Sequence, residues 1–563
     1  MTEKETGEIS APVMDSSSTA DPVATPPRPS LLAWPALPSV LAVLLLLWMV
    51  SVTTLSQLTM SPTYDEQNHV TRGIAILRTG DYRLCYHHPP LANILQGLPV
   101  AWRNDTHFTT NIPGWENTEI WPASHETVWH NAKNGDRLIK LARIPTLLFA
   151  LVLALVIFFW ARELFGPWGG VLSLTLFAID PNFIAHSGLA TTDVPAAATI
   201  ALALFALYRY VLRPSRGRLL WAGIAIGLAL AAKFSGLILV PITGLLLLIL
   251  SCWPAADAGL PAYWRQFPFW GRVGRAFGVY MLLGVLAAIT LWGVYGFKVE
   301  ALGSKPGHPV AADAGWKAHL PVPAMQYFRG LKTVATQAEE HPAYLLGQTS
   351  ANKKGWWYYF PVAFAAKTPI PALFLLLGAL VLLAIPVSRR HLGLTRLSML
   401  FLLLPIVIFS LAAMGFLGIS LNLGIRHILP LYPFLLILAG GWVRLPARTR
   451  WYPWAIGCLL AMQLASVALS FPDYIAYFNE VAGGQDEGYR VLADSNLDWG
   501  QDLQRLAQWQ RENDVYPLAF SYFGTTPPQV YGLKYVPFSG FGIMRHCPAP
   551  NLATFRGFLA VSA

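Results

Sequence analysis

Charge is what this chain has least of. Only 12% of its 563 residues are Asp, Glu, Lys or Arg, against 54% hydrophobic residues, and the mean hydropathy is +0.45. The apolar residues come in long blocks rather than spread as in a soluble core. That excludes an ordinary soluble domain and marks a polytopic membrane protein. Acidic charge is scarcer still: 30 Asp and Glu against 40 Lys and Arg leave a formal net charge of +10. The excess does not point to nucleic acid, because Lys and Arg sit mainly in short segments between apolar blocks, where they set topology.

Cysteine is nearly absent. The four residues Cys85, Cys252, Cys458 and Cys547 show no metal-ligand spacing. Cys252 and Cys458 lie in or beside apolar blocks and read as inert packing residues, so only Cys85 and Cys547 are candidates to share an aqueous face and a disulfide. There is no glycine-rich phosphate loop of the Walker or Rossmann type, hence no soluble nucleotide site of that kind. No convincing internal repeat is found either, which counts against a repeat-built transporter.

What is present is a series of apolar stretches long enough to cross a bilayer, about eleven by length. They lie near 36–58, 139–160, 168–184, 194–212, 219–233, 236–252, 276–297, 362–385, 397–417, 426–443 and 452–470. Residues 1–35, rich in Ser, Thr, Pro and acidic side chains, are expected to be a disordered cytoplasmic tail. They lack the basic start and cleavage site of a signal peptide, so the first apolar run is expected to stay as an anchor. Arginines cluster in alternate gaps: Arg209, Arg213, Arg216 and Arg218, then Arg265, Arg272 and Arg275, then Arg389, Arg390 and Arg396, then Arg444, Arg448 and Arg450. The positive-inside rule then puts the N-terminus in the cytoplasm and the C-terminus outside a cell membrane. Three long segments, 59–138, 298–361 and 471–563, face outward together, as suits an enzyme at the outer leaflet better than a simple transporter. In the last of them Trp499, Leu503, Leu506 and Trp509 recur at helical spacing and "YPLAFSYFG" reads as a strand, so a small α/β extension is expected there.

The ionisable residues that interrupt this pattern collect at the outer ends of the spans. Asp65 and Glu66 follow directly on the first span; capping of a helix is the plain reading of such a pair. "HHPPLANIL" brings His87 and His88 to a helix start. Asp193 stands at the entrance of a long span in "HSGLATTDVPAAATI", where an N-cap explains it but an ion at a membrane edge also asks for a partner. Lys233 separates two apolar blocks. Arg426 and His427 open a span in "LNLGIRHILPLYPFL" on the face where the topology rule disfavours Arg, which calls for an anionic partner. Acids that can take a proton from a hydroxyl, beside cations that can hold a phosphate leaving group, suit transfer from a lipid-phosphate donor.

The acidic pair, "HPPL" at His88 to Leu91, "TTDVP" around Asp193, "GIAIGLALAAKFSGLILVP" and "GIRHILPLYPFL" together resemble the protein O-mannosyltransferase family and its bacterial relatives, the aminoarabinose transferases. The resemblance runs from about residue 40 to 445. It implies an all-α polytopic membrane protein of the GT-C type, with residues 36–470 as the catalytic transmembrane domain. The implied activity is transfer of a sugar from a polyprenyl-phosphate donor to a hydroxyl-bearing acceptor, by inverting displacement. Asp65 would then be the catalytic base, with Glu66 orienting the acceptor or a bound divalent cation. His88 would position the first-loop helix and line the site with Asp193, and Lys233, Arg426 and His427 would hold the donor phosphate. Beyond such a divalent cation no cofactor is expected, and the partners are lipid and acceptor rather than nucleic acid. Segments 298–361 and 471–563 depart from the family's pattern. A transporter or flippase of lipid-linked sugars is the rival reading; it predicts ions near the bilayer midplane, whereas these cluster at span ends.

Overall fold

The computed structural model describes residues 36–254, 259–308, 310–311, 313–337, 343–350, 355–416, 422–446, 451–538 and 555–562. The expected tail 1–35 and Cys547, and with it the Cys85–Cys547 pairing, lie outside the described residues. Cys85 carries a free, buried thiol, whereas Cys252 and Cys458 are exposed on the surface rather than packed inside as expected.

Helix dominates, at 66% against 5% strand, and the apolar blocks become long helices as their composition requires. Eight helices among the described residues are long and apolar enough to span a membrane, or up to ten if two sharply bent pairs each count as one span. This falls short of the expected eleven for three physical reasons. The stretch expected at 168–184 breaks after Ala178 and bends by 67° into Pro181–Ser187. There the Asp180 carboxylate caps a new helix by accepting from Asn182 N and Phe183 N, with Pro181 in its first turn. The stretch expected at 362–385 is interrupted between Tyr359–Lys367 and Ile370–Ala384 at Pro369, and then turns by 107° into Pro386–Leu392. The stretch expected at 219–233 is a helix, Arg216–Ala232, of only 17 residues, or roughly 25 Å at the standard rise, less than the roughly 30 Å of a bilayer core.

The bundle has an inside and a rim. Asp193–Leu212 and Ile425–Arg444 are the innermost spans, each 78% buried over its apolar window, while Tyr452–Leu469 is 11% buried and Phe269–Val294 22%. Leu37–Leu58 likewise turns Val40, Val43, Leu44, Leu47 and Leu55 outward, as a helix facing hydrocarbon does. The innermost spans carry Asp193 and Arg426 at their starts, so the least solvated helices hold the charges.

The segment after the first span folds over this end of the bundle. Helix Glu66–Thr79 packs on Leu91–Gly97, which "HHPP" starts as expected, its N-cap being Pro90. The two meet almost backbone to backbone: a Cβ added at Gly73 would lie 2.0 Å from the Asn93 carbonyl oxygen and 2.9 Å from the Gly97 Cα. Segment 298–361 forms an antiparallel pair, Val299–Ala301 with Pro321–Pro323, and a helix, Met325–Gln337.

The C-terminal region supplies the expected strand, Leu518–Ser521, paired in parallel with Val536–Pro537 and Phe558–Val561. Helix Leu503–Asn513 packs Leu503 and Ala507 on Leu518 and Phe520. The helix begins at Leu503, so Trp499 stands outside it, contrary to the periodicity. Packing also runs across residue 470: Phe478, Leu492 and Leu497 join the membrane core, and the buried Lys367 amine donates to Ile475 O (2.8 Å) and Asn496 O (2.6 Å).

Because no side chain fits between the first-loop helices, Gly73→Ala is expected to force them apart and cost about 1–3 kcal/mol, the usual penalty of overpacking. Thermal unfolding in detergent checks this, with Gly80→Ala unsuitable as a control because Gly80 has φ +68°.

Candidate functional site

The loop joining the first span to helix Glu66–Thr79 carries the acidic pair, and the pair divides its labour. In "TYDE", Thr63 and Glu66 have the spacing of a capping box, and the Glu66 carboxylate does reach back to accept from Thr63 N at 2.8 Å. It also accepts from Arg143 Nε, Arg143 Nη2 and Ala190 N, all at 2.8 Å. Glu66 and Arg143 are both fully buried. Four donors saturate the two oxygens, so a divalent cation at Glu66 does not fit: it would have to displace Arg143. Arg143 was missed from the sequence, although an arginine inside the stretch 139–160 asks for a buried carboxylate.

Asp65 does something else. It occupies the N-cap position of Glu66–Thr79, yet its side chain makes no capping bond. Instead it accepts from Arg426 Nη1 at 3.1 Å, with 26% of its side chain exposed. Arg426 Nη1 also lies 3.9 Å from Asp193, and Lys233 Nζ donates to Asp193 at 2.5 Å. Asp193 is the first residue of its helix, Thr192 being the N-cap, and is only 2% exposed. Lys233 is extended at the end of Arg216–Ala232, in the turn to Phe234–Ile238. Residues 65, 193, 233 and 426, scattered over 361 positions, thus form one alternating chain of two carboxylates and two cations.

Of the histidines expected here, His427 follows Arg426, and its Nε2 is buried without a hydrogen-bond partner among the described residues. His88 Nδ1 lies 3.5 Å from Thr192 Oγ1, next to Asp193. Its ring is 5.0 Å from that of His69, whose Nδ1 meets Asn93 Oδ1 at 2.9 Å. Burial, reinforced by Arg72, brings His69 down to about 4. Burial, with His69 and Arg72, holds His88 well below the usual imidazole range. Both are neutral near pH 7 and add no positive charge.

The C-terminal region closes the remaining side. The Arg426 guanidinium stands 4.2 Å from the centre of the Trp499 ring. Asp494, at φ 61° in the left-handed region, feels both Arg426 and Asp65; burial raises its carboxyl above the usual range against the pull of Arg426. Tyr64 stacks on Phe523 at 5.0 Å and meets Trp121 edge-on at 5.1 Å. No sequence signal pairs these tail residues with Arg426 or Tyr64, since they come together only through the fold. Chemically, the cluster offers a partly exposed base and two cations whose charge is balanced internally. An incoming anion can bind by exchanging with a carboxylate.

Residues 135–256 match the model of the dolichyl-phosphate-mannose-protein mannosyltransferase family, a stretch that contains Arg143, Asp193 and Lys233. The resemblance expected from the sequence is thereby borne out. A direct sequence comparison with curated proteins finds no match. Among solved structures the chain is similar to ArnT from Cupriavidus metallidurans in the apo state (18% identity, 76% of this chain and 65% of that one, TM-score 0.41). With the same protein bound to undecaprenyl phosphate the values are 16%, 86%, 73% and 0.44. With the archaeal oligosaccharyltransferase AglB from Archaeoglobus fulgidus they are 14%, 85%, 58% and 0.45. The chain thus spans just under two thirds of the first of these relatives.

Removing the acid at Glu66 strands a buried guanidinium, so Glu66→Gln is expected to destabilise the protein by about 3–5 kcal/mol. Asp65→Asn, at a partly exposed pair, is expected to cost about 1 kcal/mol or less. Thermal unfolding of the two variants side by side checks the division of roles.

Proposed function

We propose that the protein is a membrane glycosyltransferase that moves a sugar from a polyprenyl-phosphate carrier to a hydroxyl-bearing acceptor at the outer face of the membrane, with Asp65 as base. One observation carries the reading: Asp65 forgoes the helix cap at its own position and faces Arg426, which links it to Asp193 and Lys233. The donor phosphate takes the place of a carboxylate beside Arg426 and Lys233, which balance its charge. The acceptor hydroxyl gives its proton to Asp65 as its oxygen forms a bond to the anomeric carbon. The bond from that carbon to the phosphate oxygen breaks, and its electron pair leaves with the phosphate. A phosphate leaves without a protonating acid, so one base and two cations suffice, and attack opposite the leaving group inverts the anomeric centre. Glu66 acts through Arg143, holding the loop that presents Asp65. His88, neutral and beside Thr192, lines the site, and His427 flanks the phosphate position. The resemblance over residues 135–256 supports a mannosyl-type donor, and the positions of Asp193, Lys233 and Arg426 at helix ends support an enzyme over a flippase.

Two outcomes test the reading. Asp65→Asn keeps size and hydrogen bonding but loses basicity, so turnover should fall about 10²-fold or more, followed by mass spectrometry of the product from a panel of polyprenyl-phosphate sugars; near-full turnover would exclude Asp65 as base. Arg426→Gln and Lys233→Gln should each weaken binding of undecaprenyl phosphate to the purified protein, and wild-type affinity in both would remove the donor assignment.

A further inference from the structure

One residue of the tail, Trp499, meets both Arg426 and the backbone beside Asp65. Trp499 O accepts from Tyr64 N at 2.9 Å, pinning the backbone next to Asp65. The ring of the same residue, 1% exposed, carries the Arg426 guanidinium at 4.2 Å. The flanking residues repeat the pattern on each side. Gln501 O accepts from Ser61 N at 2.8 Å, and Thr525 Oγ1 donates to Tyr64 O at 2.9 Å, so the acid loop is held along its length. On the other side Asn496 Oδ1 accepts from Ile425 N at 2.9 Å and Ser495 Oγ donates to Leu423 O at 2.7 Å, fixing the backbone that presents Arg426. Gly424, between them, has φ 146°, and a Cβ there would lie 2.7 Å from Ser495 Oγ.

We propose that Trp499 is a positioning residue of the site: its carbonyl sets the acid loop, its indole face sets the Arg426 guanidinium, and residues 494–501 thereby hold base and cation in register. Residues 494–501 of the C-terminal region are then a wall of the site. An indole face attracts a cation without neutralising its charge, so it orients Arg426 without adding to the carboxylates that a phosphate must displace. The consequence for the donor rests on the reading that Arg426 takes the carrier phosphate.

Side-chain variants separate the two contacts, because they leave the Trp499 carbonyl in place. With the full-length protein in detergent and undecaprenyl phosphate as probe, Trp499→Leu should weaken binding about 3- to 30-fold, the reach of one cation–π contact. Trp499→Phe, which keeps an aromatic face, should weaken it less. In an Arg426→Gln background neither change should matter further. Wild-type affinity in Trp499→Leu, or an equal loss with and without Arg426, would overturn the proposal. Thermal stability without lipid gives a second readout from Trp499→Phe, Arg426→Gln and the double variant: effects that do not add support the coupling, and additive effects overturn it. If the wild type binds no undecaprenyl phosphate, the donor reading fails while this stability cycle still decides the role of Trp499.

Discussion

A carboxylate cannot stand uncompensated at the head of a helix whose apolar window is 78% buried, and Asp193 does not. Its charge is met by Lys233 at 2.5 Å and approached by Arg426 at 3.9 Å. Arg426 in turn has capacity left for Asp65. Removing two ions from water is repaid only by close geometry and further hydrogen bonds, so this neutralisation dictates where the ends of four separate chain segments must lie. The site is the place where that requirement is met with one carboxylate still partly open to solvent.

A second buried pair makes the first one usable. Glu66 and Arg143 have no exposure at all and take every hydrogen bond the carboxylate can accept from its surroundings. They tie the acid loop to the start of Ile144–Phe165 and to Ala190, just before the Asp193 helix. Two adjacent acids therefore serve opposite ends: one is spent on structure so that its neighbour need not be. Within the tail, Trp499 then adds direction rather than charge. Trp499 offers a face to Arg426 and a carbonyl to Tyr64, and Asn496 and Ser495 grip the chain on either side of Gly424. The alternating acids and bases, the tail wall and the aromatic group of Tyr64, Trp121 and Phe523 all converge on the one end of the bundle where the long connecting segments gather.

Much of this was legible in the residues. Long apolar blocks can only be helices in a bilayer, because every backbone polar group must be satisfied within the segment; their number came out lower where Asp180 with Pro181, and Pro369, start new helices, and where Arg216–Ala232 is short. Asp65, Asp193, Lys233 and Arg426 stood out because ions beside hydrocarbon are costly enough to need a reason, and that argument requires no coordinates. The same argument applied to Arg143 marks it as needing a buried carboxylate, without saying which one. The helical spacing of Trp499 with Leu503, Leu506 and Trp509, by contrast, misled: periodicity records a face that a helix could have, and the chain before Leu503 is instead held open by its bonds to the acid loop.

By itself, the sequence determined the class of molecule, its helical make-up, and which ionisable residues carry a cost that something must offset, since these depend on local composition and on the energetics of lipid. Only the tertiary structure decided who pairs with whom. It divided Asp65 from Glu66, gave the first to Arg426 and the second to Arg143, and brought Trp499 beneath a guanidinium 73 positions earlier. Such pairings are distances across the fold, set by packing of segments far apart in the chain, and no local pattern of residues encodes them.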